Sequence, residues 1–128
     1  MDKTILLVDD NHDMLDLLEI FLYKDYEVIT ALNGFEGLKK AEEQLPDVII
    51  TDITMPVMDG IRFFNQIRKN EPLRYVPIIA VTEFAQDITR NSLLNMGFSG
   101  VISKPLEKQT LMDAVTVALN SADSHIKS

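Results

Sequence analysis

Five short runs of consecutive, largely β-branched apolar residues punctuate the chain: Ile5-Leu6-Leu7-Val8, Val28-Ile29, Val48-Ile49-Ile50, Ile78-Ile79-Ala80-Val81 and Val101-Ile102. Apolar residues without polar alternation mark strands buried on both faces, the habit of a parallel sheet covered by helices. The intervening segments carry helical spacing. Met14, Leu17, Leu18, Phe21 and Leu22 step as i, i+3, i+4, i+7, i+8 and predict one apolar stripe. Leu111, Ala114, Val115, Ala118 and Leu119 repeat the pattern, and Phe35, Leu38, Ala41 and Ile61, Phe64, Ile67 follow it more loosely. A further helix is predicted from Gln86 to Met96, with Gly97 as its stop, while Pro46 and Pro72 follow the second and third helices. Strand and helix therefore alternate five times, and right-handed crossovers make this a three-layer α/β fold with a five-stranded parallel sheet.

With 128 residues, 46% of them apolar, the chain has the size and composition of one domain that folds without staples. It contains no Cys, which excludes a thiol nucleophile, a Cys-ligated zinc and a redox dithiol. A net charge of −8 repels nucleic acid and anionic lipid, so no direct nucleic-acid binding is expected. The apolar stretch from Tyr75 to Val81 contains Pro77 and falls far short of the ~20 residues of a membrane span. Ile5–Val8, fenced by Lys3 and Asp9, is too short for the core of a signal peptide, and a cytoplasmic location is expected. From Asn120 the chain turns polar and small; the domain is expected over 1–120, with a frayed tail over 121–128.

In open parallel sheets ligands bind outside the carboxyl ends of the strands. The first run ends in Asp9 and Asp10, the third in Thr51 and Asp52, the fourth in Thr82, and the fifth in Ser103 and Lys104. Three carboxylates converging on one edge repel one another, and a hard divalent cation such as Mg²⁺ relieves that repulsion while leaving one aspartate free to react. An Asp carboxylate is a nucleophile towards phosphorus. Lys104 can neutralise phosphoryl charge, and the Thr82 hydroxyl can donate to a phosphoryl oxygen. Taken singly, each residue has a plainer use: Asp9 and Asp10 as a helix cap and first-turn acid, Thr82 as a cap, Lys104 as a surface charge. Their complementary mixture on one edge favours the chemical reading.

Four motifs in order then resemble the response-regulator receiver domains of two-component signalling, over essentially the whole chain. They are Val8-Asp9-Asp10, the stretch Asp52-Ile53-Thr54-Met55-Pro56-Val57-Met58-Asp59-Gly60, Val81-Thr82, and Ser103-Lys104-Pro105. The resemblance implies a flavodoxin-like (βα)5 sandwich with strand order 2-1-3-4-5. It further implies Asp52 as phosphoacceptor, Asp10 as a direct Mg²⁺ ligand, Asp9 as a ligand acting largely through water, and the Met55 backbone carbonyl as another. Thr82 would be the hydroxyl that moves towards the phosphoryl group and Lys104 its cationic partner, with a cis peptide before Pro105. Gly60 suits a tight turn beneath the acceptor. The implied partners are a sensor histidine kinase or histidine phosphotransfer protein as donor, and a protein target docking on the face of the fourth helix, fifth strand and fifth helix. Self-phosphorylation and autodephosphorylation aside, no enzyme activity is implied.

Three positions depart from the commonest family pattern. Val101 stands three residues before Lys104, where a Tyr or Phe ring often rotates inward. Glu83 follows Thr82 where a small residue is usual, placing a carboxylate where phosphate must enter. Phe84, two residues after Thr82, and Thr54, two after Asp52, occupy positions that tune dephosphorylation in the family, and a crowded site with a long-lived phosphoryl group is the expectation. His12, with no second His or Cys near it, reads as a solvent-facing first-turn residue, and His125 falls in the expected tail. Phe63 and Phe64 point about 100° apart on one helix, so one is expected in the core and the other partly exposed. The methionines are expected to be core filler.

The competing readings are a degenerate receiver acting as a phosphorylation-independent interaction module, and a phosphohydrolase with an aspartyl nucleophile. The haloacid-dehalogenase type of the latter places Asp-x-Asp after the first strand, where this chain reads Asp9-Asp10-Asn11. A flavodoxin-like nucleotide binder needs a Ser/Thr/Gly-rich loop there, and the two acids would repel its phosphate.

Overall fold

The computed structural model describes residues 2–83 and 87–127; Phe84, Gln86 and the side chain of His125 lie outside the described set. The elements are β1 (Thr4–Val8), α1 (His12–Leu22), β2 (Glu27–Ala31), α2 (Gly34–Gln44), β3 (Val48–Asp52), α3 (Gly60–Lys69), β4 (Ile78–Thr82), α4 (Asp87–Met96), β5 (Gly100–Ser103) and α5 (Lys108–Lys127). A short 3₁₀ turn, Glu71–Leu73, carries Pro72 between α3 and β4. All strand pairs are parallel and the order is β2-β1-β3-β4-β5, the flavodoxin-like arrangement.

The unbroken apolar runs are explained by two cores, one on each side of the sheet. Leu6, Val8, Ile49, Ile78, Ala80 and Val101 face Ala41, Phe63, Phe64, Ile67 and Leu93 of α2, α3 and α4. Ile5, Leu7, Val48, Ile50, Ile79, Val81 and Ile102 face Leu15, Leu18 and Leu22 of α1 and Leu111, Val115 and Ala118 of α5. Strand side chains alternate between these layers, which is why no polar residue interrupts them. No helix among the described residues is long and apolar enough to cross a membrane.

Several local expectations are corrected. The face of α1 on the sheet is centred on Leu15, Leu18 and Leu22, with Met14 and Phe21 of the expected stripe partly buried against the same core; Leu15 joins it and Leu17 is half-buried at its edge. Phe35 is exposed, because α2 buries Gly34, Gly37 and Ala41 and approaches the sheet so closely that a Cβ on Gly37 would stand 2.9 Å from Val8 Cγ2. Phe63 and Phe64 are both buried: Phe64 stacks on Phe98 with ring centroids 4.4 Å apart, and the Arg68 guanidinium covers it at 4.7 Å. Of the methionines, Met55 is buried but Met96 is exposed. The backbone of α5 runs to Lys127, and no Gly or Pro follows Pro105 to end it.

Candidate functional site

The first turn of α1 decides how Asp9 and Asp10 are used. The N-cap of that helix is Asn11, whose side chain accepts from the Met14 N–H at 3.0 Å. The acid pair is therefore not spent on capping, and Asn11, which the sequence reading passed over, is the residue that frees it. Its signal was an Asn directly ahead of the apolar stripe. Asp59 does the same for α3, accepting from Arg62 N–H at 2.9 Å, and so leaves Asp52 alone at the end of β3.

Parallel register then gathers the strand ends. Val8 pairs with Thr51, Asp52 with Val81, and Thr82 with Ser103, so Asp9, Asp10, Asp52, Thr82 and Lys104 reach one edge. They line a cleft of ≈ 240 Å³ together with Asn11, Thr54 and Glu83. Met55 is the sequence-predicted site residue whose side chain is not among that lining; it packs into the core on the α2–α4 side. The Lys104–Pro105 peptide is cis, and the Lys104 N–H donates to the Thr82 carbonyl at 3.0 Å, tying β5 to β4 at the cleft. Gly60 closes the loop from below: its N–H donates to Ile53 O at 2.8 Å, and any Cβ there would collide with the Asp52 carbonyl oxygen.

Electrostatics follow from this crowding. Asp9, Asp10 and Asp52 offer carboxylate oxygens that all lie within 4.8 Å of one another. Asp9 is 2% exposed, and burial, opposed by the Asn11 N–H at 2.9 Å but reinforced by Asp52 and Asp10, pushes its carboxyl up to about 6. Burial likewise raises Asp52, against the Lys104 ammonium and the Ile53 N–H at 2.9 Å. Lys104 Nζ stands 3.7 Å from Asp52 Oδ1 and 3.8 Å from Asp9 Oδ2, and it is the cation lining the cleft among the described residues. One ammonium does not compensate the buried Asp9 and Asp52 together with the exposed Asp10, and an all-oxygen set of this kind fits a hard divalent cation. Thr82 is buried beside it, whereas Glu83 is exposed at the rim.

The comparisons agree with that geometry. A family model, the response regulator receiver domain, matches residues 5–116. The chemotaxis protein CheY of Halobacterium salinarum is 34% identical over 122 residues, covering 94% of this chain and 100% of that protein. The hybrid signal transduction histidine kinase D of Dictyostelium discoideum is 36% identical over 111 residues; the match takes in 87% of this chain but 7% of that protein. Among solved structures, the receiver domain of a Pseudomonas aeruginosa sensor histidine kinase, described with a magnesium ion coordinated in its active site cleft, superposes with a TM-score of 0.85 at 31% identity, covering 94% of this chain and 99% of that one. A β2-β1-β3-β4-β5 sheet with an aspartate cluster at its carboxyl edge and a family match over residues 5–116 thus make this chain a member of the response regulator receiver domain family of two-component signalling.

Proposed function

We propose that the chain is a phosphoacceptor switch in which Asp52 takes a phosphoryl group from the phosphohistidine of a kinase or phosphotransfer protein. The observation that carries this reading is the position of Asp52 at the end of β3, 3.7 Å from the Lys104 ammonium and beside the Asp9–Asp10 pair. A carboxylate oxygen of Asp52 attacks phosphorus, the N–P bond breaks, and its electron pair leaves with the imidazole. Lys104 and the Thr82 hydroxyl then hold phosphoryl oxygens on the β4–β5 side. Asp9, Asp10, Asp52 and the Met55 carbonyl would hold Mg²⁺, which supplies positive charge for the transferring phosphoryl oxygens when bound. Kinase-borne receivers among the relatives support a phosphohistidine donor, and the magnesium described in the Pseudomonas domain supports the cation. The added charge on Asp52 biases two receiver conformations, read by a protein target on the α4–β5–α5 face. The phosphoryl group is expected to be long-lived, with Glu83 among the residues that line the cleft. The net charge of −8 weighs against a nucleic-acid partner, and a cytoplasmic location is part of this reading.

Intact mass after incubation with Mg²⁺ and acetyl phosphate tests the reading. One phosphoryl group is expected on the wild type and none on Asp52→Asn. No adduct on the wild type would favour the phosphorylation-independent interaction module.

A further inference from the structure

Four carboxylates line the cleft, and three of them, Asp9, Asp10 and Asp52, form the cluster whose oxygens approach within 4.8 Å. Glu83 is the fourth, and it stands outside that cluster. It directly follows Thr82, on the side of the cleft where Thr82 and Lys104 would receive phosphoryl oxygens. A divalent cation on the aspartates and the Lys104 ammonium together match the charge of the three aspartates. The Glu83 charge is then the one left uncompensated, at the mouth through which a donor must come.

Resting on the phosphoacceptor reading above, we propose that Glu83 is a specificity-determining residue that selects phosphodonors by charge, favouring nitrogen-phosphoryl donors over acyl phosphates. The two classes differ at the leaving atom. In an acyl phosphate the Asp52 oxygen–phosphorus bond forms while the P–O bond breaks, and the electron pair leaves on a carboxylate oxygen; the free donor arrives as a dianion. In a phosphoramidate the leaving nitrogen already carries the extra proton, and in a phosphoimidazole the second ring nitrogen carries it; the N–P bond breaks, its electron pair stays on nitrogen, and neutral ammonia or imidazole departs, so that donor arrives with one negative charge fewer. Glu83 repels the dianion more strongly and faces a cationic nitrogen on the other. The cleft is thereby guarded against metabolic acyl phosphates while open to a phosphohistidine surface.

The test compares second-order phosphorylation rates with acetyl phosphate and phosphoramidate, followed by intact mass at saturating Mg²⁺, for the wild type, Glu83→Gln and Glu83→Lys. Because Glu83 is exposed, both variants are expected to fold. The expected result is an acetyl phosphate rate that rises relative to the phosphoramidate rate by about threefold in Glu83→Gln, the size of one Coulomb interaction across a water layer or two, and further in Glu83→Lys. That change shrinks towards none at 1 M salt. Calorimetric Mg²⁺ titrations run alongside are expected to show Glu83→Gln within about threefold of the wild type. An unchanged donor ratio in variants that still phosphorylate overturns the proposal and leaves the acceptor assignment standing. A tenfold or greater loss of Mg²⁺ affinity makes Glu83 a metal ligand and also overturns it. A wild type that neither donor phosphorylates removes the acceptor reading and this inference with it.

Discussion

The ammonium of Lys104 lies 3.7 Å from Oδ1 of Asp52, across the carboxyl edges of β5 and β3, and reaches Asp9, just past β1, at almost the same distance. At 16% side-chain exposure it is held in place more firmly than a surface lysine, and it opposes the upward push of burial on both acids. Lys104→Met is expected to raise the pKa of both carboxyls further. Without metal, the variant should lose about 2 kcal/mol of stability at pH 7.5, where the acids are left ionised and unpaired, and much less at pH 4.5. Urea unfolding in EDTA at the two pH values checks this.

Burial gives the free domain a pH dependence opposite to ordinary acid denaturation. The Asp9 carboxyl titrates near 6 in the folded chain against an ordinary 3.8. A group whose folded value is raised contributes stability that is fully present below the unfolded pKa and is lost as pH climbs through the folded one. Asp9 therefore costs the metal-free domain up to about 3 kcal/mol between pH 4 and pH 7. Asp9→Asn, which is neutral throughout, is expected to flatten that part of the stability curve in urea titrations. In the wild type, Mg²⁺ at a hundred times its Kd should restore about 3 kcal/mol at pH 7.5, and the same concentration less at pH 4.5, where a proton holds Asp9.

Two glycines, Gly60 opening α3 and Gly100 opening the edge strand β5, separate a structural requirement from a dispensable one. A Cβ at Gly60 would run into the carbonyl oxygen of Asp52 and stand 2.8 Å from Ile53 Cα, both backbone atoms that cannot swing aside. At Gly100 the same Cβ meets only Ile79 side-chain carbons at 3.9 and 4.0 Å. Gly60→Ala is expected to destabilise by about 2 to 4 kcal/mol and to depress phosphorylation, since relief must come from moving the acceptor strand. Gly100→Ala should stay within about 0.5 kcal/mol of the wild type, or gain slightly from reduced backbone entropy. Thermal melts and acetyl phosphate uptake on the two variants make the comparison.

The sheet was legible because strands buried on both faces have to be apolar throughout, and the ends of those runs point to the cleft without any knowledge of side-chain positions. Strand order came from family resemblance, as one sequence does not say which neighbour a buried strand chooses. The helix faces were read less well. Leu15 and Leu17 are equally apolar, and only the docking angle of α1 decides that Leu15 is buried. Phe64 was hard to place because its stacking partner, Phe98, comes from the far side of β4 and α4 in the chain. At Gly97 local chemistry sufficed: its φ of 118° completes a Schellman motif, with Gly97 N–H on Leu94 O and Phe98 N–H on Leu93 O, where only a residue without Cβ sits easily. Asn11 shows the reverse case, a capping role that three adjacent polar residues could each have filled until the structure assigned it.

Arg90 supplies the connection between α4 and β5 at the position where Val101 replaces an aromatic ring. Its Nη1 donates to the Val101 carbonyl at 2.8 Å. β5 is an edge strand paired only with β4, so its outward carbonyls need partners from solvent or from α4, and this charge-assisted bond is the partner for Val101. Val101 itself is buried and stands in register with Ala80, two residues before Thr82, so the bond couples α4 to the strand pair that ends in Thr82 and Lys104. Arg90→Met keeps the apolar stem and deletes the donor. It is expected to cost about 1 to 2 kcal/mol and to speed amide exchange in α4, which carries the exposed Leu94 and Met96, while leaving β1 and β3 protected. Hydrogen–deuterium exchange by mass spectrometry reads each peptide separately. Faster exchange confined to α4 would establish Arg90 as the tie that sets the position of that helix, whereas unchanged exchange would assign its placement to the packing of Leu93 and Phe98 alone.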